Sequence, residues 1–273
     1  MKADLHVHST ASDGSASPAE LVSLAVDGRL DVLAIADHDS VEGVEEAASA
    51  AGSTSVRLVP ALELSAFIDG RDVHVLGYYV DHRDPDLTAR LGELRHARLQ
   101  RARRMVGALR EDGLLVSLDD VLALSDGGAV GRSHVARALV RAGHAADVSD
   151  AFGRLIGRGR PYYVAKDACS PAEAIALIRR AGGLAVLAHP GVNRLDDLVE
   201  GLVGAGLAGI EAYHADHTPE QRAHYAALAA SFGLVATGGS DYHGAGAPNP
   251  PLGSVDIPDS AIEAFLAWPS RFA

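Results

Sequence analysis

Residues 4–10 read Asp-Leu-His-Val-His-Ser-Thr, and this stretch sets the reading of the whole chain. His6 and His8 are two apart in a segment that begins apolar. Alternate side chains of a β-strand point to the same face, so the two imidazoles share one face at a strand end. There they can hold one divalent cation. Further along come Asp13, His38, Glu63, His74, His189, Asp241 and His243, most of them directly after an apolar, strand-like run. With His6 and His8 that makes nine candidate ligands, more than one ion needs.

Working outward, short apolar runs alternate with Ala/Leu-rich helical stretches. The strand candidates are Ala3–Val7, Val32–Ala36, Val56–Leu62, Val73–Tyr79, Leu184–Ala188, Gly209–Ala212 and Leu234–Thr237. Helices are expected over Pro18–Asp27, Val41–Ala51, Pro171–Ala181, Leu195–Val203, Pro219–Phe232 and Ser260–Ala267. Ser170 followed by Pro171 and Glu173, with Gly182 at the far end, marks a capped helix, and Ser17 with Glu20 forms a capping box. Strands alternating with helices imply a parallel α/β architecture. The alternation breaks between about residues 86 and 160, where Leu91–Glu111, Leu118–Leu124, Arg132–Arg141 and Val148–Ile156 read as helices without a strand between them. All nine candidate ligands lie outside this block. The expected organisation is therefore a discontinuous barrel, residues 1–85 and 161–273, with a helical insertion over 86–160. Gly244–Pro251 reads as a Gly/Pro-rich loop.

Bulk composition narrows the function classes. The 273-residue chain is 48% hydrophobic and 22% charged, ordinary for a globular enzyme, and only 5% aromatic, so its core rests on aliphatic residues. A formal net charge of −12 argues against electrostatic capture of duplex nucleic acid. A small anionic substrate is compatible, because bound divalent cations reverse the field locally. The single cysteine, Cys169, precludes an intramolecular disulfide, fits a reducing compartment and reads as a packed residue. No apolar run approaches the roughly 20 residues of a bilayer span, and no signal peptide is recognisable. A cytoplasmic location is expected, with no membrane and no obligate protein partner.

In α/β barrels the chemistry sits at the C-terminal strand ends. His6 and His8 end the first strand, His38 follows Val32–Ala36, Glu63 follows Val56–Leu62, His189 follows Leu184–Ala188, and Asp241 and His243 follow Leu234–Thr237. His74 lies early in its run and is expected on a hairpin-like arm. Carboxylate and imidazole donors without thiolate suit Zn²⁺, Mn²⁺ or Fe²⁺, and ions held close together can position a phosphate and generate hydroxide. The pattern therefore points to phosphoester hydrolysis.

The stretches DLHVHSTASDG (4–14), AIADHDS (34–40), PALELS (60–65), DVHVLGY (72–78), LAHP (187–190) and GGSDYHG (238–244) resemble, in order, the signatures of the PHP (polymerase and histidinol phosphatase) family. GRSHVARALV (131–140) is similar to the subgroup of small bacterial enzymes acting on nucleoside 3′,5′-bisphosphates and on 5′ ends of short oligonucleotides. The resemblance implies a distorted (β/α)₇ barrel with two or three divalent ions (Mn, Fe or Zn). Carried over by position, His6, His8, Glu63 and Asp241 hold the first ion. Glu63 bridges to a second, completed by His74 and His189, and Asp13, His38 and His243 hold a third. A hydroxide between metals would attack phosphorus in line.

Further expectations concern the surroundings. Asp37 or Asp39 would orient an imidazole. Arg132, Ser133 and His134 open a helix after Gly131 and are expected to grip a phosphate, with Arg132 and Asp241 in the catalytic set. His217 is expected to contact phosphate or to protonate the leaving alkoxide, and Tyr213 and His214 to pack or orient. Arg98, Arg101 and Arg104, bracketed by Glu93 and Glu111, read as a solvated helix face. The leading function is a metal-dependent phosphoesterase acting on a small nucleotide. Histidinol-phosphate phosphatase, a 3′ exonuclease and a non-catalytic metal-binding module are the alternatives.

Overall fold

A computed structural model describes residues 1–125, 127–165, 169–245 and 250–271. Seven strands form one sheet in chain order: β1 (Ala3–Val7), β2 (Val32–Ile35), β3 (Arg57–Ile68), β4 (Arg71–Tyr78), β5 (Leu184–Leu187), β6 (Gly209–His214) and β7 (Val235–Gly239). The sheet curls until the segment after β7 meets the end of β1. There Asp241 N donates to His6 O at 2.8 Å and His8 N donates to Tyr242 O at 2.9 Å. The result is a nearly closed barrel. Tyr78 on β4 is fully buried and its hydroxyl donates to Leu5 O of β1 at 2.9 Å, reaching between strands that are not sheet neighbours. Around it Ala34, Val59, Val186 and Val235 pack with Ile262 and Phe265 of the last long helix, residues 259–266.

The expected parallel architecture holds for β1–β2–β3 and for β5–β6–β7 but not for β4, which runs antiparallel to both its neighbours. The cause is local. Asp69 and Gly70 join β3 to β4 with φ of 47° and 76°, and a two-residue Asp-Gly turn with both φ positive returns the chain as a hairpin. No crossover helix fits there, so β4 must reverse. The hairpin also extends β3 to twelve residues, ending at Ile68 rather than Leu62, because its second half pairs with β4 from Glu63↔Leu76 to Ile68↔Arg71.

The helices in chain order are α1 (Pro18–Asp27), α2 (Val44–Ala51), α3 (Pro85–Glu111), α4 (Leu118–Ser125), α5 (Arg132–Arg141), α6 (Val148–Ala151), α7 (Pro171–Arg180), α8 (Pro190–Asn193), α9 (Val199–Gly204), α10 (Pro219–Ser231) and α11 (Asp259–Leu266). The Ser17–Glu20 capping box and the Ser170 N-cap form as the sequence predicts, and Ser170 also closes a second capping box with Glu173. The helix expected over Val148–Ile156 is α only to Ala151; Phe152–Ile156 is a π-helical turn. The helix expected from Leu91 begins at Pro85, because Asp84 caps it by accepting from Leu87 N at 2.8 Å.

Helices α3 to α6 share an apolar core of their own, with Met105, Leu109, Val121, Val135, Leu139 and Ile156 at its centre. This block still touches the barrel mouth: Ala129 N donates to Ala11 O at 3.1 Å. Gly128 makes the approach possible, since a Cβ there would stand 2.3 Å from Thr10 O. Residues 246–249 of the expected loop Gly244–Pro251 lie outside the described residues.

Candidate metal centre

The nine predicted ligands converge at one rim of the barrel. β1 delivers His6 and, directly after it, His8, and the loop that follows delivers Asp13. The segment after β2 delivers His38, which bridges to Glu63 of β3 in parallel register. Glu63 stands where β2 ends, at the barrel mouth, although its own strand runs on. Because β4 is antiparallel, its N-terminal half is the half at this rim, which places His74 beside the others. His189 follows β5, and Asp241 and His243 follow β7. Asp39, His189 and Asp241 have φ of 49°, 28° and 53°. Non-glycine residues held in this region carry local strain and cluster at functional sites.

Glu63 is the hub. Its Oε1 lies 2.8 Å from His74 Nδ1 and 3.1 Å from His189 Nε2. Its Oε2 lies 2.9 Å from His38 Nδ1 and 3.4 Å from Nε2 of both His6 and His8. Asp241 Oδ1 meets the same pair, 3.1 Å from His8 Nε2 and 3.5 Å from His6 Nε2. On the other side of His8, Asp13 Oδ1 is 3.3 Å from His243 Nε2 and 3.9 Å from His8 Nδ1. Donor atoms of His8, Asp13, His38 and His243 all fall within 4.8 Å of one another, as do those of His6, His8 and Asp241 and those of His38, Glu63 and His74.

The donors fit divalent cations. His8 Nδ1 and His189 Nδ1 are buried without a hydrogen-bond partner among the described residues, an arrangement that is costly unless something binds there. Burial pushes the Glu63 carboxyl up, but His38, His74 and His6 outweigh it and hold it well below the ordinary carboxylate range. Asp241 and Asp13 are held down in the same way against burial, by His6 and His243 respectively. His8 goes the other way, lowered to about 3 by burial and by His243. Ionised carboxylates beside a neutral imidazole are what a metal requires of its ligands. Oxygen and nitrogen donors without sulfur suit Zn, Mn or Fe.

One supporting residue was missed in the sequence. Glu211 on β6 is fully buried; its Oε1 is 2.9 Å from His6 Nδ1 and its Oε2 accepts from His189 N at 2.8 Å. This is the carboxylate that orients an imidazole. The pair proposed for that task does otherwise. Asp37 accepts from Ser9 N at 2.8 Å, from Ser9 Oγ at 2.6 Å and from Ser12 Oγ, tying down the loop that carries Asp13. Asp39 accepts from Ser65 N at 2.8 Å and pairs with Arg98. The signal for Glu211 was a lone acid inside an apolar strand, Gly209–His214. His214, read as a packing or orienting residue, places Nε2 3.7 Å from Asp241 Oδ2.

Two of the expected substrate contacts have other partners in the structure. His217 accepts Gly191 N–H on Nε2 at 3.0 Å, and its Nδ1 is 3.0 Å from Ala212 O. Both nitrogens are engaged by backbone groups and the ring is buried, so neither is free to contact a phosphate in this conformation. His134 is also buried, and its Nδ1 accepts from Gly131 N at 2.9 Å, capping its own helix instead of gripping an anion. The rest of the expected grip is mixed. Ser133 Oγ donates to Asp13 Oδ2 at 2.7 Å. Arg132 is partly exposed, 3.4 Å from Asp72 Oδ2 and stacked against Phe152 and Tyr163. The arginines of α3 are not simply a solvated face: Arg98 and Arg101 turn inward, Arg98 to Asp39 and Ser65, and Arg101 to Val164 O.

The His134 cap has a pH signature. Burial holds its pKa down at about 4, against an unfolded value near 6.5. Below pH 6.5 the unfolded chain takes up a proton that the folded chain resists. The contribution is therefore complete above pH 6.5 and is lost as pH falls toward 4, at about 1.4 kcal/mol per pH unit at most. Glutamine at this N3 position can cap without titrating. His134→Gln is expected to flatten the pH dependence of the urea midpoint over this window relative to the parent; identical slopes would contradict the role.

The PHP domain model matches residues 4–160. A 5′-3′ exoribonuclease of Haemophilus influenzae is 37% identical over 247 residues, 89% of this chain and 90% of that enzyme. A 3′,5′-nucleoside bisphosphate phosphatase of Chromobacterium violaceum is 35% identical over 89% of this chain and 87% of that enzyme. The structure of an amidohydrolase from Chromobacterium violaceum, with bound sulfate and no metal, superimposes with a TM-score of 0.91 at 32% identity, covering 98% of this chain and 97% of that one. By the match over more than half its length and by these relatives, the chain belongs to the PHP domain family.

Proposed function

We propose that this protein is a metal-dependent phosphoesterase that releases phosphate from a small nucleotide, a nucleoside 3′,5′-bisphosphate or a short 5′-phosphorylated oligonucleotide. The observation that carries the reading is the convergence of nine oxygen- and nitrogen-donor side chains, Glu63 among them, at the barrel mouth. His6, His8, Glu63 and Asp241 are assigned to a first divalent ion, Glu63, His74 and His189 to a second, and Asp13, His38 and His243 to a third. When bound, such ions supply positive charge to a phosphoryl group and make water acidic enough to act as a nucleophile near neutral pH.

The chain itself does the positioning. Glu63 keeps both oxygens in the cluster, Ser133 holds Asp13 in place from the helical block, and Asp37 ties down the loop between them. Residues 86–160 act as a cap over the substrate, with Arg132 facing it. Similarity to a bisphosphate phosphatase and to an exoribonuclease supports a nucleotide substrate. Among the described residues no helix is long and apolar enough to cross a membrane.

The test is phosphate release by the metal-supplied protein from adenosine 3′,5′-bisphosphate, a 5′-phosphorylated short RNA, histidinol phosphate and 4-nitrophenyl phosphate. The bisphosphate or the RNA is expected to be preferred, with activity lost on chelation and restored by Mn²⁺. Preference for histidinol phosphate would overturn the substrate assignment. Metal binding without turnover of any substrate would make the protein a binding module.

A further inference from the structure

His214 closes β6 with a side chain that the ligand assignments leave unused. In a regular strand residues 211 and 214 would point to opposite faces. The register of β6 against β7 shifts between Glu211 and Tyr213, and both side chains are buried beside the metal centre, with Glu211 0% and His214 1% exposed. The His214 ring stands 5.3 Å from that of His189 and 6.0 Å from that of His6, centre to centre. Its Nδ1 accepts from Asp216 N at 3.1 Å. Its Nε2 is buried with no hydrogen-bond partner among the described residues.

The Asp216 contact decides the tautomer. A backbone amide can only donate, so Nδ1 carries the lone pair and the proton sits on Nε2. The same proton bars His214 from serving as a further ligand. Two carboxylates lie near this buried N–H. Donor atoms of His6, Glu211 and His214 fall within 4.8 Å of one another, but Glu211 is already occupied, its Oε1 by His6 Nδ1 and its Oε2 by His189 N. Asp241 is the other. Its Oδ1 meets His8 and His6, whereas its Oδ2 lies 3.7 Å from His214 Nε2. That is about half an ångström longer than a hydrogen bond, a gap that a small rotation of the carboxylate closes. Leaving a buried donor unmet is costly, so the contact favours closure.

We propose that His214 is a positioning residue: its Nε2–H holds Oδ2 of Asp241, so that Asp241 offers only Oδ1 to the cation it shares with His6 and His8. The inference rests on the metal-centre reading above and adds to it what fixes the carboxylate. A carboxylate with both oxygens free can swing or bind through either one, and ligating carboxylates are held by hydrogen bonds for this reason. Asp241 needs such a tie, since its own backbone sits at φ 53°. The turn His214–Asp216 supplies it. The Asp216 amide sets the proton on the far nitrogen of the ring, and the ring carries that donor to Asp241.

Two variants separate this role from a structural one. His214→Asn keeps an acceptor for the Asp216 amide, as asparagine does in turns, but is too short to donate to Asp241. His214→Gln places an amide nitrogen near the position of the imidazole Nε2 and gives up the turn acceptor. Titration of Mn²⁺ into the stripped proteins is expected to show affinity about tenfold weaker for His214→Asn, the low end of the range for groups that orient metal ligands, with most of the loss recovered in His214→Gln. A purely structural His214 gives the reverse order, with the asparagine variant close to the parent and the glutamine variant weaker, and would overturn the proposal. So would unchanged affinity in both folded variants. The ¹⁵N spectrum of the stripped parent should show His214 protonated on Nε2 and bare on Nδ1; the opposite tautomer would overturn the proposal even if the asparagine variant does not fold. A parent protein that takes up no Mn²⁺ would overturn the metal-centre reading, a failure distinct from that of His214.

Discussion

Glu63→Gln is expected to lower kcat on the preferred phosphoester by on the order of 10³-fold, about 4 kcal/mol of transition-state stabilisation, while the barrel still folds. The size of the effect follows from the number of groups that meet this one side chain. Oε1 faces His74 and His189, and Oε2 faces His6, His8 and His38. An amide of the same shape keeps one oxygen, removes the negative charge and turns an NH₂ toward imidazoles that must present lone pairs to a cation. Both ions that the proposed assignment shares through Glu63 would then be mispositioned. The fold is insulated from the change because the backbone contacts of Glu63, its N–H to Asp37 O and its pairing with Leu76, do not involve the side chain. Asp241→Asn is expected to act in the same direction through His6 and His8. The measurement is turnover at saturating Mn²⁺ beside a circular-dichroism melt. Near-parental turnover of a metal-saturated, folded Glu63→Gln variant would contradict the bridging role.

The sequence made the site legible where ligand spacing and strand ends coincide. His6 and His8 share a face because strand side chains alternate, and His38, His189, Asp241 and His243 each follow an apolar run. His74 resisted that rule because the rule presumes parallel strands. The Asp69-Gly70 turn was the available clue, since it forces β4 to reverse and so brings the early half of β4 to the rim. Glu211 was hidden by the opposite effect: one acid inside Gly209–His214 carries no spacing signal, and only the fold shows that His6 and the His189 backbone converge on it. Register shifts lie near His6 in β1, between Asp4 and Val7, and at Glu211 in β6, before Tyr213. Irregularities of this kind re-aim side chains next to active sites and cannot be read from hydropathy.

Arg101 and His217 show what residue type alone conceals. The spacing of Arg98, Arg101 and Arg104 is that of an exposed helix stripe, and on an isolated helix it would be one. Here the long helix α3 packs against both the barrel and the other helices of the block, so Arg98 and Arg101 are enclosed. His217 follows a strand and lies at the pocket mouth by sequence, but the Gly191 amide and the Ala212 carbonyl engage both its nitrogens. Side-chain identity fixed the chemistry these residues can do, whereas the tertiary hydrogen bonds decided which of them are free to do it.

Glu211→Gln is expected to weaken binding of the activating metal by about 10–100-fold, the range seen when a carboxylate that orients a metal-bound histidine is changed. Glu211 accepts two N–H groups, from the His6 ring at 2.9 Å and from the His189 backbone at 2.8 Å. Burial alone would raise its carboxyl, but His6 and His214 bring the pKa down to about 2, so it is an ionised acceptor at any pH the fold tolerates. With a proton on Nδ1 pointing at Glu211, His6 presents a bare Nε2 to Glu63, His8 and Asp241. A glutamine has one acceptor and one donor. If its oxygen accepts from His6 Nδ1–H, its NH₂ opposes the His189 N–H and loosens a turn already held at φ 28°. If it flips, its NH₂ faces His6 Nδ1, the proton moves to Nε2, and the ligand atom is blocked. Either way metal affinity falls before the fold does. Titration of Mn²⁺ into the stripped variant should show the shift, and ¹⁵N shifts of His6 should show the tautomer change in the second case. Activity should recover at excess Mn²⁺, which separates this residue from Glu63, whose loss added metal does not repair. Unchanged metal affinity in a folded Glu211→Gln variant would reduce Glu211 to a structural tie between β6 and the His189 turn.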